Sequence, residues 1–162
     1  MVTVNSGVLS ISNTSGSSGQ SIGVHSIKTF PVGMALSVRS VAVSGQHTAL
    51  IGFGSSPFRP YPHGGTSPGC TWYARSGNLT STMSWRSENG VTGTYDSATE
   101  DLTNYQIFKM IRTSSSTVEF YRNNVLEYTA TGLVLTAEYP IYFSNDGHTK
   151  PNISYIDFMA VA

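Results

Sequence analysis

A β-hairpin near residue 120 is the feature that most constrains how this chain can fold. Thr117–Arg122 and Val125–Thr129 are rich in β-branched and aromatic residues, which fit the pleated sheet. Asn123-Asn124 lies between these two runs, and asparagine tolerates the positive φ that a tight hairpin turn requires. The closing segment Asn152–Val161 has the same β character. The chain is therefore expected to form antiparallel strands.

The rest of the chain alternates short strand-like runs with Gly, Pro, Asn and Ser clusters, and no helical period stands out. The other predicted strands are Val8–Ser12, Ser21–Ile27, Met34–Val43, Thr48–Phe53, Thr71–Arg75, Thr80–Arg86, Tyr105–Arg112 and Tyr139–Ser144. Many short strands at this spacing are typical of a sandwich or a barrel. A chain of 162 residues can bury a real core, so we assign residues 1–162 to one β-sandwich domain.

Composition excludes some classes of function. Charged residues make up 11% of the chain and the formal net charge is zero, whereas a nucleic-acid-binding protein needs a clustered basic surface. No apolar run approaches the roughly 20 residues that span a bilayer. The residues after Met1 do not resemble a signal peptide. Cys70 is the single cysteine, which leaves no intrachain disulfide and favours a buried thiol.

A second hairpin is predicted with Gly77-Asn78 as its turn. A turn of two residues places one set of side chains toward the core: Trp72, Ala74, Leu79, Met83 and Trp85. The opposite face then carries Tyr73, Arg75, Thr80, Thr82, Ser84 and Arg86. Sugars stack their C–H faces on aromatic rings and bond their hydroxyls to planar polar groups. Tyr73, Arg75 and Arg86 are therefore candidate carbohydrate-binding residues, and an ordinary exposed polar face is the equal alternative.

The proline-rich stretch Ser55–Gly69 is long for a loop in a compact domain, and such loops are often functional. Its prolines restrict the backbone, so less entropy is lost when the loop grips a ligand. Phe58 and Tyr61 are the candidate contacts there, and a packed loop that buries both rings is the alternative. Tyr95 is a further candidate at the rim of the binding face.

Three segments together resemble the concanavalin A-like lectin/glucanase superfamily. They are Phe30–Arg39, then Tyr105–Arg112 with the hairpin Thr117–Tyr128 after it, and the closing strand Ile153–Val161. The resemblance implies a two-sheet antiparallel jelly roll, in which the concave sheet and its rim loops bind carbohydrate. It also implies that Asp157, in the last strand, could help to hold a structural Ca²⁺ together with backbone carbonyls.

Retaining glycosidases of this fold carry Glu-x-Asp-x-x-Glu on one concave strand, because the reaction needs two carboxyl groups about 5–5.5 Å apart. The sequence contains no such motif. In the hairpin near residue 120, a turn of two residues predicts Glu119 opposite Tyr128 and Phe120 opposite Glu127. Glu119 and Glu127 would then face opposite sides and form no catalytic pair. These observations predict that the chain is not an enzyme.

The sequence thus favours a non-catalytic module that binds an oligo- or polysaccharide, excised from a larger secreted or surface protein. We expect it outside the cell or on a cell or virion surface, with no nucleic-acid partner and no membrane insertion. The alternatives are a structural or adhesive domain of a viral or cell-surface appendage, and a diverged glycoside hydrolase or polysaccharide lyase. Sequence leaves the oligomeric state open.

Overall fold

The computed structural model describes residues 2–13, 20–44, 49–55, 67–75, 80–97, 104–147 and 152–161. Within these ranges the chain forms thirteen β-strands and no helix. They are β1 Val2–Asn5, β2 Val8–Asn13, β3 Gln20–Phe30, β4 Ala35–Ser44, β5 Ala49–Gly54, β6 Gly69–Arg75, β7 Thr80–Arg86, β8 Thr92–Asp96, β9 Gln106–Ile111, β10 Val118–Arg122, β11 Val125–Ala130, β12 Tyr139–Gly147 and β13 Asn152–Val161.

The strands form two antiparallel sheets. The seven-stranded sheet has the order β1-β2-β13-β4-β9-β10-β11, and the six-stranded sheet has the order β3-β12-β5-β6-β7-β8. The first and last parts of the chain lie side by side, because β13 pairs with both β2 and β4. This arrangement confirms the predicted all-β, two-sheet antiparallel jelly roll.

The core lies between the sheets and follows the alternation of each strand. Trp72 in β6 is fully buried, and its indole ring lies 5.2 Å from the ring of Phe108 and 5.8 Å from that of Phe120. Phe108 and Phe120 belong to the seven-stranded sheet, so Trp72 joins the two sheets. Other buried side chains of the same layer are Leu36, Val38, Ile51, Phe53, Met83, Met110 and Ile141.

The hairpin between β6 and β7 has the predicted register. Trp72 pairs with Met83, Cys70 with Trp85 and Arg75 with Thr80. Cys70, Trp72, Met83 and Trp85 are all buried, so this face packs against the core as expected. The turn itself, residues 76–79, is outside the described part of the chain.

The hairpin between β10 and β11 has the predicted turn and a different register. Asn123 and Asn124 have φ values of 50° and 67°, as a tight turn of this kind requires. A β-bulge then shifts the pairing, so that Phe120 lies opposite Tyr128 and Glu119 opposite Thr129. The predicted pairing of Glu119 with Tyr128 is therefore wrong, because Glu127 is an extra residue that β10 does not match.

The two acids of this hairpin still face opposite sides. Glu119 accepts a hydrogen bond from the hydroxyl of Tyr121 at 2.6 Å, and both lie away from the core. Glu127 instead pairs with Arg122, which has the same alternation as buried Phe120. The acids form no catalytic pair, as expected.

Replacing Trp72 with alanine should remove the contact that joins the sheets. A large-to-small change at such a site costs about 3–5 kcal/mol in the free energy of unfolding. Urea denaturation followed by circular dichroism measures this loss. Val4→Ala is the control, because Val4 is 71% exposed and its variant should change stability by less than about 0.5 kcal/mol. Wild-type stability for Trp72→Ala would contradict the assignment of Trp72 to the core.

Candidate functional site

The outer face of the six-stranded sheet, which points away from the core, carries a row of polar positions. Because Trp72 and Met83 point inward, their neighbours Thr71 and Ser84 point outward. Backbone pairing places Thr94, Ser84, Thr71, Gly52, Tyr142 and His25 in one row across all six strands. The row brings together hydroxyl groups from strands far apart in the chain.

The middle of this row is buried. The Tyr142 hydroxyl is hydrogen-bonded to Thr71 Oγ1, and both residues are buried. A Cβ at Gly52 would lie 2.8 Å from the Tyr142 hydroxyl and would clash with the carbonyl of Cys70, so glycine is required there. Burial raises the pKa of Tyr142 far above its ordinary value. Tyr142 therefore acts here as a neutral phenol.

Ser84 is also buried in this row, and its hydroxyl has no hydrogen-bond partner among the described residues. The expectation of an open polar surface is thus wrong at Ser84. Sequence alternation predicts which side of a sheet a residue faces, and it carries no information on what covers that side. Open polar positions lie instead along the edge strand β8, where Thr92, Thr94 and Asp96 are exposed.

Asp96 is an exposed carboxylate on this outer face. It lies opposite Thr82 on the neighbouring strand, and the Thr82 hydroxyl donates a hydrogen bond of 2.5 Å to Asp96 Oδ1. This bond orients an exposed carboxylate at the edge of the sheet. Asp96 is not predicted as a site residue from the sequence, because it belongs to no known motif of catalytic acids.

The three candidate residues of the β6–β7 hairpin do not converge on one point. Arg75 pairs with Thr80 and Arg86 pairs with Gly69. At roughly 3.3 Å per residue, the six steps along the strand from Thr80 to Arg86 separate these positions by about 20 Å. Tyr73 lies opposite Thr82, in the row of Asp96. The side chains of Tyr73 and Arg75 are not among those described, so their contact with sugar stays a prediction.

Phe58 and Tyr61 lie outside the described residues, and their role also stays a prediction. The base of their loop is well defined, because the amide of Ser55 donates to the carbonyl of Pro68 at 3.1 Å. Gly69, at φ 153°, lies against the carbonyl of Phe53, and a Cβ there would clash with it. Ser55 and Pro68, at the two ends of the loop, are therefore held together by this backbone hydrogen bond.

Tyr95, the candidate at the rim, lies in the edge strand β8. It lies on the inner side of β8, and its ring stacks on Tyr128 at 4.6 Å between centroids. Tyr128 in turn stacks on Trp85 at 5.0 Å. Tyr95 is thus at the open edge between β8 and β11, which are the last strands of their sheets. It does not share the outer face with Arg86.

Glu88 links two loops at one end of the sandwich. Its Oε1 accepts hydrogen bonds from the amides of Thr136 and Ala137 at 2.8 and 2.9 Å and from the Tyr139 hydroxyl at 2.6 Å. Its Oε2 accepts a bond of 2.7 Å from the Thr136 hydroxyl. These bonds, led by that from Ala137, lower the pKa of Glu88 to about 2. A carboxylate bound in this way serves structure.

We call these hydrogen bonds of Glu88 to Thr136, Ala137 and Tyr139 the Glu88 clasp. Arg112, which follows the last residue of β9, is fully buried and contacts two of the same residues. It donates from Nη1 to the carbonyl of Ala137 at 2.9 Å, and its guanidinium lies 5.1 Å from the ring centre of Tyr139 and 5.8 Å from that of Phe53. Burial lowers the pKa of Arg112 and raises that of the Cys70 thiol. The aromatic faces offset part of the cost of burying this cation.

The described side chains assemble no group of three or more His, Cys, Asp or Glu that could hold a metal ion. Asp157 lies in β13 where the pairing with β4 shifts, between Ile156 and Phe158. Its side chain is outside the described set, so the predicted Ca²⁺ ligand stays a prediction. No helix long and apolar enough to cross a membrane occurs among the described residues.

Comparison with solved structures identifies the fold over nearly the whole chain. No protein-family model and no curated protein matches the sequence. An endo-acting O-glycanase of the human gut microbiota matches with a TM-score of 0.73 and 15% identity, covering 99% of this chain and 81% of that chain. The β-glucanase of Bacillus licheniformis matches with a TM-score of 0.72 and 16% identity, covering 98% and 80%.

A β-1,3-1,4-glucanase (lichenase) from a mouse hindgut metagenome matches with a TM-score of 0.71 and 13% identity, covering 99% of this chain and 82% of that chain. These likenesses confirm the jelly-roll fold of two antiparallel sheets. They also correct one expectation, namely that the chain is not an enzyme, because each of the three solved structures is named as a glycanase or glucanase. The missing acid motif was too narrow a test.

The Glu88 clasp predicts a specific dependence of stability on pH. The folded-state pKa of about 2 is below the ordinary value of 4.5, so the stabilising effect is complete above pH 4.5 and is lost as the pH falls through 2. Glu88→Gln should be less stable than wild type at pH 7, and the two should converge near pH 2. Urea denaturation at a series of pH values measures the difference.

Glu138→Gln is the control for this series. Glu138 is an exposed carboxylate that accepts a hydrogen bond of 2.9 Å from the Thr29 hydroxyl. Its variant should track wild type much more closely at every pH. A constant difference between Glu88→Gln and wild type from pH 7 to pH 2 would show that the charge of Glu88 does not stabilise the fold.

Proposed function

We propose that this chain is a diverged glycoside hydrolase that acts on a polysaccharide at the β8 edge of the outer face of its six-stranded sheet. The observation that carries the proposal is the likeness, over 98–99% of the chain, to solved glycanases and glucanases. Because a fold hosts many functions, the chemistry of the face must support the same conclusion.

The face offers groups of the type that hold sugar hydroxyls. Thr92 and Thr94 are exposed on β8, and Arg86 is half-buried in the adjacent β7. The formal net charge of zero suits a neutral glycan, since no excess of either sign would attract a charged one. An extracellular site of action agrees with a polymeric substrate of this kind.

Asp96 is the residue that we assign to the reaction. Hydrolysis of a glycosidic bond uses two carboxyl groups, about 5–5.5 Å apart when configuration is retained and about 6.5–9.5 Å apart when it is inverted. Among the other described acids, Glu88 is held by two loops and Glu127 pairs with Arg122. Glu100 and Asp101 follow closely in the chain and lie outside the described residues.

The test is release of reducing ends from three polysaccharides: mixed-linkage β-glucan, laminarin and mucin. Wild type should release them from at least one substrate. Asp96→Asn keeps the size of the side chain and removes its acid–base chemistry, so it should lower kcat by about a hundredfold or more. Glu100→Gln and Asp101→Asn, assayed in parallel, identify the partner carboxyl by a loss of the same size.

Glu138→Gln is the matched control, because Glu138 is another exposed carboxylate that accepts a hydrogen bond from a threonine. That threonine, Thr29, lies in β3, at the opposite edge of the same sheet from β8. The rate of Glu138→Gln should equal that of wild type within a factor of two. Equal rates for Asp96→Asn and wild type would remove Asp96 from the mechanism. No release from any of the three substrates by wild type would remove the proposed reaction on these glycans.

A further inference from the structure

Three aromatic rings form a column that runs from the core to the surface between β8 and β11. Trp85 is nearly buried, Tyr128 lies on it with an angle of 16° between ring planes, and Tyr95 lies on Tyr128 at 17°. Tyr95 ends the column and is 38% exposed. Because Tyr128 covers one face of this ring, the exposure belongs to its edge and its other face.

The backbone is shaped to build this column. The bulge in β11 places Tyr128 opposite Phe120, on the core side, whereas an unbroken ladder would place it opposite Glu119, on the far side. A Cβ at Gly93 would clash with the indole of Trp85, so glycine lets that ring lie against β8. The ring of Tyr95 is therefore held in position by its stacking on Tyr128, which in turn stacks on Trp85.

The same bulge places a pair of planar polar groups beside Tyr128, the middle ring of the column. Glu127 immediately precedes Tyr128, and its Oε1 accepts from Arg122 Nη2 at 2.7 Å and from Arg122 Nε at 3.1 Å. The two side chains are 21% and 16% exposed, so solvent reaches both. A carboxylate and a guanidinium beside a flat ring provide an acceptor and donors for hydroxyl groups.

We propose that Tyr95, with the Arg122–Glu127 pair, is a second glycan-contact site at the edge of the sandwich, where a pyranose ring stacks on the exposed face of Tyr95. The site takes its ligand class from the proposed function, and its geometry is separate from the outer face. Tyr95 and Asp96 are adjacent in the edge strand and face opposite sides of it. A glycan that crosses this edge can therefore contact both residues.

A sugar fits this site better than a second protein molecule does. A stable protein interface buries roughly 1,200–2,000 Å², which far exceeds one ring and one ion pair. A pyranose has a flat C–H face of about the area of an aromatic ring, and its hydroxyls project from its rim. The ring of Tyr95 matches the first feature, and the ion pair matches the second.

Tyr105 provides a matched control on the same molecule. It is also 38% exposed, and the guanidinium of Arg39 lies 4.5 Å above its ring centre. Tyr105 thus has the same exposure and one ring face already covered by a cation. Its replacement should leave binding of a glycan unchanged.

The test is affinity electrophoresis at 4 °C in gels that contain mixed-linkage β-glucan, laminarin or mucin. Wild type should be retarded in at least one gel. Tyr95→Ala and Tyr95→Leu should bind that glycan at least about fivefold more weakly, by analogy with the loss of one stacked ring. Tyr105→Ala should migrate as wild type does. The leucine variant keeps apolar packing on Tyr128, so a loss shared by both variants is a loss of stacking and not of fold.

Each other outcome is decisive. Equal retardation of wild type and both Tyr95 variants overturns the site and leaves the proposed hydrolysis untouched. Retardation that depends on Tyr95, without release of reducing ends, supports the site and overturns the hydrolysis. No retardation of wild type in any gel overturns the site. A dimer of wild type that Tyr95→Ala converts to a monomer would place a second copy on the ring and overturn the glycan assignment.

Discussion

Aromatic contacts between the two sheets are the interaction on which the rest of this structure depends. Trp72 meets Phe108 and Phe120 across the core, and Trp85 meets Phe120 at 6.2 Å and Tyr128 at 5.0 Å. Large rings bury much apolar area at a small cost in side-chain entropy, which suits a chain with few charged residues. The packing also fixes the hairpins β6–β7 and β10–β11 relative to each other. Trp85, Arg122, Glu127 and Tyr128 lie in these hairpins, and Tyr95 and Asp96 lie in β8, the strand beside the first of them.

The two hairpins show where alternation suffices to predict a register and where it fails. In β6–β7 both strands alternate strictly, so a turn of two residues determined the pairing of Trp72 with Met83. In β10–β11 the turn was equally readable, yet the extra residue Glu127 shifts Tyr128 to the core side. A bulge disrupts the hydrogen-bonded ladder locally, and packing elsewhere in the fold offsets this loss, here the stacking of Tyr128 on Trp85. The sequence around the hairpin carries no sign of this contact with Trp85, so the bulge cannot be predicted from it.

The strands that sequence did not predict are β1 and β8, and both lie at sheet edges. An edge strand bonds to a single neighbour and buries little, so it needs no strong apolar pattern. Thr92–Asp96 contains a glycine and exposed polar residues, which resemble a loop. Because β8 was not predicted, Tyr95 and Asp96 could not be assigned to opposite faces of a strand from the sequence. The Glu88 clasp was hidden for a similar reason, since its partners lie 48–51 residues away.

The absence of a catalytic motif led to a wrong expectation because the motif describes one arrangement of acids, whereas the reaction can use any two carboxyl groups that flank the scissile bond at a suitable distance. Two carboxyl groups on alternate residues of one strand are near each other and readable from sequence. Two on neighbouring strands, or on a strand and a loop, can be equally near and share no spacing in the chain. The Thr82–Asp96 bond joins residues 14 apart across two strands, which is contact of this second kind. In a jelly roll, whose sheets are assembled from distant segments, proximity across strands is the rule, and a one-strand motif samples a small part of the possible sites.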